Sequence, residues 1–185
     1  MKRKTYLFLA IAVIGLISVS TIAAIAPAST ADDANISSSS VNLQVGDLIC
    51  QYGKKDDGFD YIPGRFNHIQ IYVGNGWVVE ANPGDGVHYS QVSTGEVYRV
   101  STSWSVKQAA ADWAESKVGL NYDYWLFGKQ VDGNSYYCSE LTWAAYLSTG
   151  GPDIDQNPGW TWSYSGGVAP TECADDGDTY FVGTL

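Results

Sequence analysis

Sulfur, histidine and positive charge are all scarce in this chain. Its 185 residues hold three cysteines, one methionine and two histidines, and only 10 Lys and Arg against 20 Asp and Glu. Phosphate backbones and anionic lipid surfaces are bound by clustered cations, so a formal charge of −10 argues against nucleic acid as a partner. The two histidines, His68 and His88, show no standard zinc-ligand spacing with a cysteine, and neither a metal nor a cofactor is expected. Internal repeats and heptads are also missing, which sets aside solenoid arrays and coiled coils.

Charge is missing altogether from one long segment. Lys2, Arg3 and Lys4 precede an apolar run from Tyr6 to about Ile25 without a charged residue, the pattern of an export signal. Ala26 and Ala28, or Ser29 and Ala31, supply the small residues for cleavage after Ala28 or Ala31. An uncleaved membrane anchor is the rival reading, since the run is nearly long enough to span a bilayer. Either way the remainder is expected to be secreted or held at the cell surface, touching membrane only through this segment. Residues 1–28 are thus read as signal peptide or anchor, 29–40 as a Ser-rich linker, and 41–185 as one domain. Without the three basic residues of the leader the charge becomes −13.

An oxidising compartment makes an odd cysteine count informative. Cys50 closes the apolar run "DLIC" and Cys173 lies in "PTECADD"; if these two pair, Cys138 remains a thiol.

Strands come first and helices later. "VGDLICQY" reads as a strand, and "HIQIYVGNGWVVEA" as a hairpin turning at Gly74-Asn75-Gly76. Ile69, Ile71 and Val73 point one way, His68, Gln70 and Tyr72 the other. "VHYSQV" and "GEVYRV" are further short strands. The period then changes: "SVKQAAADWAESKVG" predicts a helix capped at Ser105, with Val106, Ala109, Ala110 and Trp113 on one face. A second helix starts at Cys138 and stops near Ser148, before Gly150-Gly151-Pro152. "NPGWTWSYSGG" is an aromatic loop whose Trp160, Trp162 and Tyr164 either wall a groove or cap the core. "TYFVG" is a last strand.

A cysteine in the first turn of a helix sits by unpaired N–H groups and the positive end of the dipole, which favour a thiolate and can hold an oxyanion. Such a nucleophile needs a base, and the base an orienting acceptor. His68 opens the hairpin and Glu80 lies on its partner strand. With a three-residue turn, residue 70 faces 80, placing Glu80 on the His68 face one diagonal step away. A two-residue turn would flip the parity and point Glu80 away.

"GDLICQY", "HIQIYVGNGWVVEA" and "YYCSELTWAAY", in that order, resemble the NlpC/P60 superfamily of papain-like cysteine hydrolases, in its circularly permuted branch of YiiX/YaeF-like amidases, related to lecithin:retinol acyltransferase. The resemblance implies an α+β fold with an antiparallel sheet packed against the helix bearing the cysteine. It implies Cys138 as nucleophile, His68 as general base and acid, and Glu80 as third member. Tyr137 and Ser139, flanking the cysteine, are the oxyanion and cleft candidates. Asp47 and Asp123 are expected to be structural, and His88 a sheet residue without a catalytic part. Gln70 stands where many relatives carry Gly, on the His68 face. The activity implied is hydrolysis of amide bonds in peptides or cell-envelope glycopeptides through an acyl-enzyme. A lipid acyltransferase or thioesterase, disfavoured by the lack of a legible apolar loop, and a non-catalytic secreted binding module are the alternatives.

Overall fold

The computed structural model describes residues 41–53, 62–161 and 165–185. The leader and linker, and Trp162 and Tyr164 of the aromatic loop, lie outside them. Five strands come first: β1 (Leu48–Gln51), β2 (His68–Gly74), β3 (Trp77–Asn82), β4 (Gly86–Gln91) and β5 (Glu96–Val100). Helix α1 (Trp104–Glu115) follows, then the two-residue strands β6 (Asn121–Tyr122) and β7 (Ser135–Tyr136), α2 (Cys138–Ser148), α3 (Pro170–Asp175) and β8 (Thr179–Thr184). The main sheet is antiparallel, in the order β4-β3-β2-β1-β5-β8, while β6 and β7 pair in parallel.

Alternation divides the sheet between two clusters. Leu48, Cys50, Ile69, Ile71, Val79 and Ala81 pack with Leu141, Ala144, Ala145 and Tyr146 of α2 and with Ala110 and Ala114 of α1. Ile49, Val78 and Val97 form a smaller cluster on the opposite face, with Tyr72 against it. Helix α2 is buried along almost its whole length, from Cys138 through Tyr146. An apolar helix of that kind is held by burial rather than by an amphipathic stripe.

The helix starts differ from the expected ones. Ser103, not Ser105, caps α1, its Oγ accepting the Val106 N–H at 3.3 Å. Helix α3 and the β6/β7 pair were not expected, being too short to carry a readable period.

The hairpin turn also differs, with a consequence for the site. Only Asn75 and Gly76 form the turn, with φ of 52° and 78°, the paired positive values of a two-residue hairpin connection. Pairing runs Ile71 to Val79 and Tyr72 to Val78, then shifts so that Gly74 meets Trp77. The extra residue, a β-bulge at Val73, restores the parity that a two-residue turn would have flipped.

One buried ion pair anchors β1. Asp47 is fully buried and accepts from Arg99 Nε and Nη2, both at 2.7 Å, and from the Gln44 N–H at 2.7 Å. Next to it Gly46 has φ +90°, and a Cβ there would collide with the Tyr146 hydroxyl and Lys107. The Tyr146 hydroxyl donates to the Gly46 carbonyl, joining α2 to the start of β1.

The expected Cys50–Cys173 disulfide is not present: Cys50, Cys138 and Cys173 are all free and buried. Cys50 and Cys173 are fully enclosed in the main core, where burial pushes both thiols up and keeps them protonated. They serve as small apolar filling.

Two outcomes follow for the fold. Asp47→Ala, which strands Arg99, should cost about 3 kcal/mol in a denaturant titration. Alkylation of the unfolded, unreduced protein should add three labels per chain by intact mass; one label would restore the disulfide.

Candidate active site

Cys138 is the first residue of α2 and His68 the first residue of β2, so a helix start and a strand start meet. The His68 ring and the Cys138 sulfur line the same groove, and His68 Nε2 lies 2.5 Å from Glu80 Oε2. With Nε2 committed to the carboxylate, Nδ1 is the nitrogen left for the sulfur. Cys138 is 4% exposed and the His68 side chain 16%, so the contact is shielded from water but reachable along the cleft.

Glu80 is the hub. Its Oε2 also accepts from Gln70 Nε2 at 2.7 Å, and Ser90 of β4 lines the same groove. His88, directly opposite Glu80 in the β3–β4 register, brings its Nε2 to 3.5 Å from Oε1 while its Nδ1 bonds the Gly86 carbonyl at 3.0 Å. His88 is thus a sheet residue, but one that faces the carboxylate at the centre of the site. Burial opposes charge on both partners, yet the hydrogen bonds prevail. His68, Ser90 and Gln70 around it hold Glu80 down at about 2, and the neighbouring Cys138 and Glu80 push His68 up to about 10.

Tyr137 and Ser139 stand beside the cysteine, but their hydroxyls are engaged elsewhere. Tyr137 donates to the Gly128 carbonyl at 2.9 Å and accepts the Val168 N–H at 3.0 Å, and Ser139 donates to the Val168 carbonyl at 2.7 Å. They clamp the loops that form the cleft. The oxyanion donors available at this position are the N–H groups of the first turn of α2, which have no intrahelical acceptor.

Glu140 was not singled out in the sequence. It is fully buried at the third position of α2, where Oε2 accepts the Tyr137 N–H at 3.2 Å and Oε1 the Gln130 N–H at 2.8 Å. Burial pushes its carboxyl up to about 7 despite these bonds. An acidic residue three places after the helix-capping position was the available signal. Asp123 accepts the Trp125 N–H at 2.8 Å and anchors its loop, as expected.

Cys138 and Tyr122 lie between two depressions. One, of about 260 Å³, is lined mainly by Ile62, Pro63, Tyr124, Leu126, Phe127 and Val168. The other, of about 490 Å³, holds His68, Gln70 and Glu80 among neutral amides and hydroxyls such as Gln51, Asn82, Gln91 and Ser93. Tyr124, Trp125 and Phe127 project into solvent, so the chain does possess the apolar loop that was not legible in the sequence. Trp160 is exposed too and lines neither depression.

The charge pair makes stability pH-dependent. His68, raised from 6.5, contributes fully below pH 6.5 and loses its contribution as pH rises through about 10. Glu80, lowered from 4.5, contributes above pH 4.5 and loses its contribution as pH falls through about 2. Urea titrations should therefore show the advantage of the wild type over Glu80→Gln greatest between pH 4.5 and 6.5, shrinking on both sides.

Comparison with known proteins bears on the family and the fold. A family described as permuted papain-like amidase enzymes, YaeF/YiiX, C92 family, matches residues 42–183. The uncharacterised protein YycO of Bacillus subtilis (strain 168) is 34% identical over 126 residues, 64% of this chain and 49% of its own length. The chain thus spans about half of that curated relative. The crystal structure of the metalloprotein yiiX from Escherichia coli O157:H7 superposes with a TM-score of 0.60 at 21% identity, covering 77% of this chain and 97% of the other, a likeness of fold. The match across nearly all of residues 41–185 makes this chain a member of the permuted papain-like amidase family, YaeF/YiiX, C92.

Proposed function

We propose that the protein is an exported thiol hydrolase that cleaves amide bonds in peptides or cell-envelope glycopeptides, with Cys138 as nucleophile, His68 as general base and acid, and Glu80 as the group that orients and charges His68. The observation carrying this reading is the meeting of Cys138 with the hydrogen-bonded His68–Glu80 pair in the lining of one cleft. The sulfur attacks the carbonyl carbon, and the oxyanion is held by N–H groups at the start of α2. His68 delivers its proton to the departing nitrogen as the C–N bond breaks. Water, giving a proton to His68, then attacks the thioester and releases the acid and the thiolate. Export rests on the leader pattern of residues 1–28.

The two depressions give the substrate a direction. His68 must reach the leaving group, so that half occupies the polar groove around His68, and the acyl half extends into the apolar depression beyond Cys138. That apolar depression and the exposed Tyr124, Trp125 and Phe127 favour one second reading, acyl transfer or thioester hydrolysis with an apolar acyl group. A non-catalytic binder would not need the sulfur, His68 and Glu80 to meet in one groove. The solved relative is called a metalloprotein. Among the described residues of this chain no group of three His, Cys, Asp or Glu is arranged to hold an ion, so the residues do not fit one and no step is routed through a metal.

The test is intact mass after brief iodoacetamide exposure at about pH 6, where an ordinary thiol is mostly protonated. One adduct on Cys138 is expected, forming roughly a hundredfold more slowly in His68→Ala. Equal rates in the two proteins would turn the reading towards a binding module.

A further inference from the structure

One polar atom in the groove beside His68 is left without a partner. Gln70 is 3% exposed; its Nε2 donates to Glu80, but its Oε1 is buried and, among the described residues, accepts no hydrogen bond. Turning the amide over gives no relief, because the carbonyl oxygen would then face the Glu80 carboxylate, which only accepts. The cross-strand neighbours cannot help: Ile49 in β1 presents hydrocarbon, and Glu80 in β3 has no proton to give. Buried acceptors are seldom left unpaired, and such exceptions gather at functional sites. A donor entering the groove that Gln70 lines would meet this oxygen.

We propose that Gln70 reads the leaving group: its Oε1 accepts a hydrogen bond from an N–H or O–H donor on the departing half of the substrate. The inference rests on the hydrolase reading above. Gln70 and His68 lie two residues apart on one face of β2 and share Glu80 Oε2. Their separation along the strand is roughly 7 Å. The two side chains converge on that one oxygen, so their tips lie closer together than this, and a leaving group whose nitrogen meets His68 brings a nearby group to Gln70. The described lining of the groove contains no Lys or Arg, so this group is neutral or cationic, not a carboxylate or phosphate. Gln70 thus has two ends with two tasks: the amide nitrogen steadies Glu80, and the amide oxygen selects a donor-bearing amine.

The test uses the full chain and three substrates sharing a phenylacetyl group. Two are amides, of glycinamide and of glycine N,N-dimethylamide, in which methyl groups replace the terminal N–H donors; the third is the p-nitrophenyl ester. Wild type is expected to favour the glycinamide leaving group over its dimethyl analogue by about tenfold in kcat/KM, the usual scale for a buried acceptor left unpaired. Gln70→Met should bring that ratio close to one. Gln70→Glu, which keeps an acceptor and gives up the donor to Glu80, should be slower on both amides yet retain most of the preference. Ester turnover dependent on Cys138, together with no preference in wild type or the same preference in Gln70→Met, overturns the role of Gln70 alone. No Cys138-dependent release from the ester overturns the hydrolase reading, and this inference with it.

Discussion

The whole site depends on keeping one carboxylate charged where water barely reaches it. Glu80 is 5% exposed, and a lone anion so placed would take up a proton or destabilise the fold. It remains charged because polar groups converge on it from both neighbouring strands, His68 and Gln70 in β2 by hydrogen bonds and His88 in β4 at 3.5 Å. That convergence depends in turn on parity. Val73 adds one residue to β2, and without it every side chain of β3 would exchange faces relative to β2. A backbone irregularity at the hairpin end, several residues from the chemistry, thus decides whether His68 has an acceptor.

The cysteine is placed by different means. Helix α2 carries little polar surface and is fixed by packing against both the sheet and α1, with the Tyr146 hydroxyl fastening it to Gly46 and Glu140 closing its N-terminal turn. Tyr137 and Ser139 fix the loops around its first residue. The sulfur is therefore presented at a defined point by the packing of its helix. The cleft divides at that sulfur into a polar half that contains His68 and an apolar half that does not.

Much of this was legible in the sequence because the signals were local. Alternation at Ile69 and Ile71 separated the two faces of β2, the Asn-Gly pair marked the turn, and Gly150-Gly151-Pro152 marked the end of α2. The turn length was misread, yet the facing of Gln70 and Glu80 survived because the bulge supplied the residue that the turn did not. What sequence could not show was set by tertiary contact. The thiols of Cys50 and Cys173 are core filling, not a staple, which their spacing could not reveal. The hydroxyls of Tyr137 and Ser139 are taken up by loops more than eight residues away in the chain. Tyr124, Trp125 and Phe127 line or border the cleft only because the clamped loop folds them there.

The central claim is that Glu80 holds His68 charged against the Cys138 sulfur, and nuclear magnetic resonance of the His68 ring tests it most directly. A titration of the ring nitrogens in wild type and Glu80→Gln reads the charge without substrate. The account requires a His68 ring still protonated at pH 8, titrating near 10 in wild type and at clearly lower pH in the variant. A neutral His68 at pH 7, or the same titration in both proteins, would contradict it.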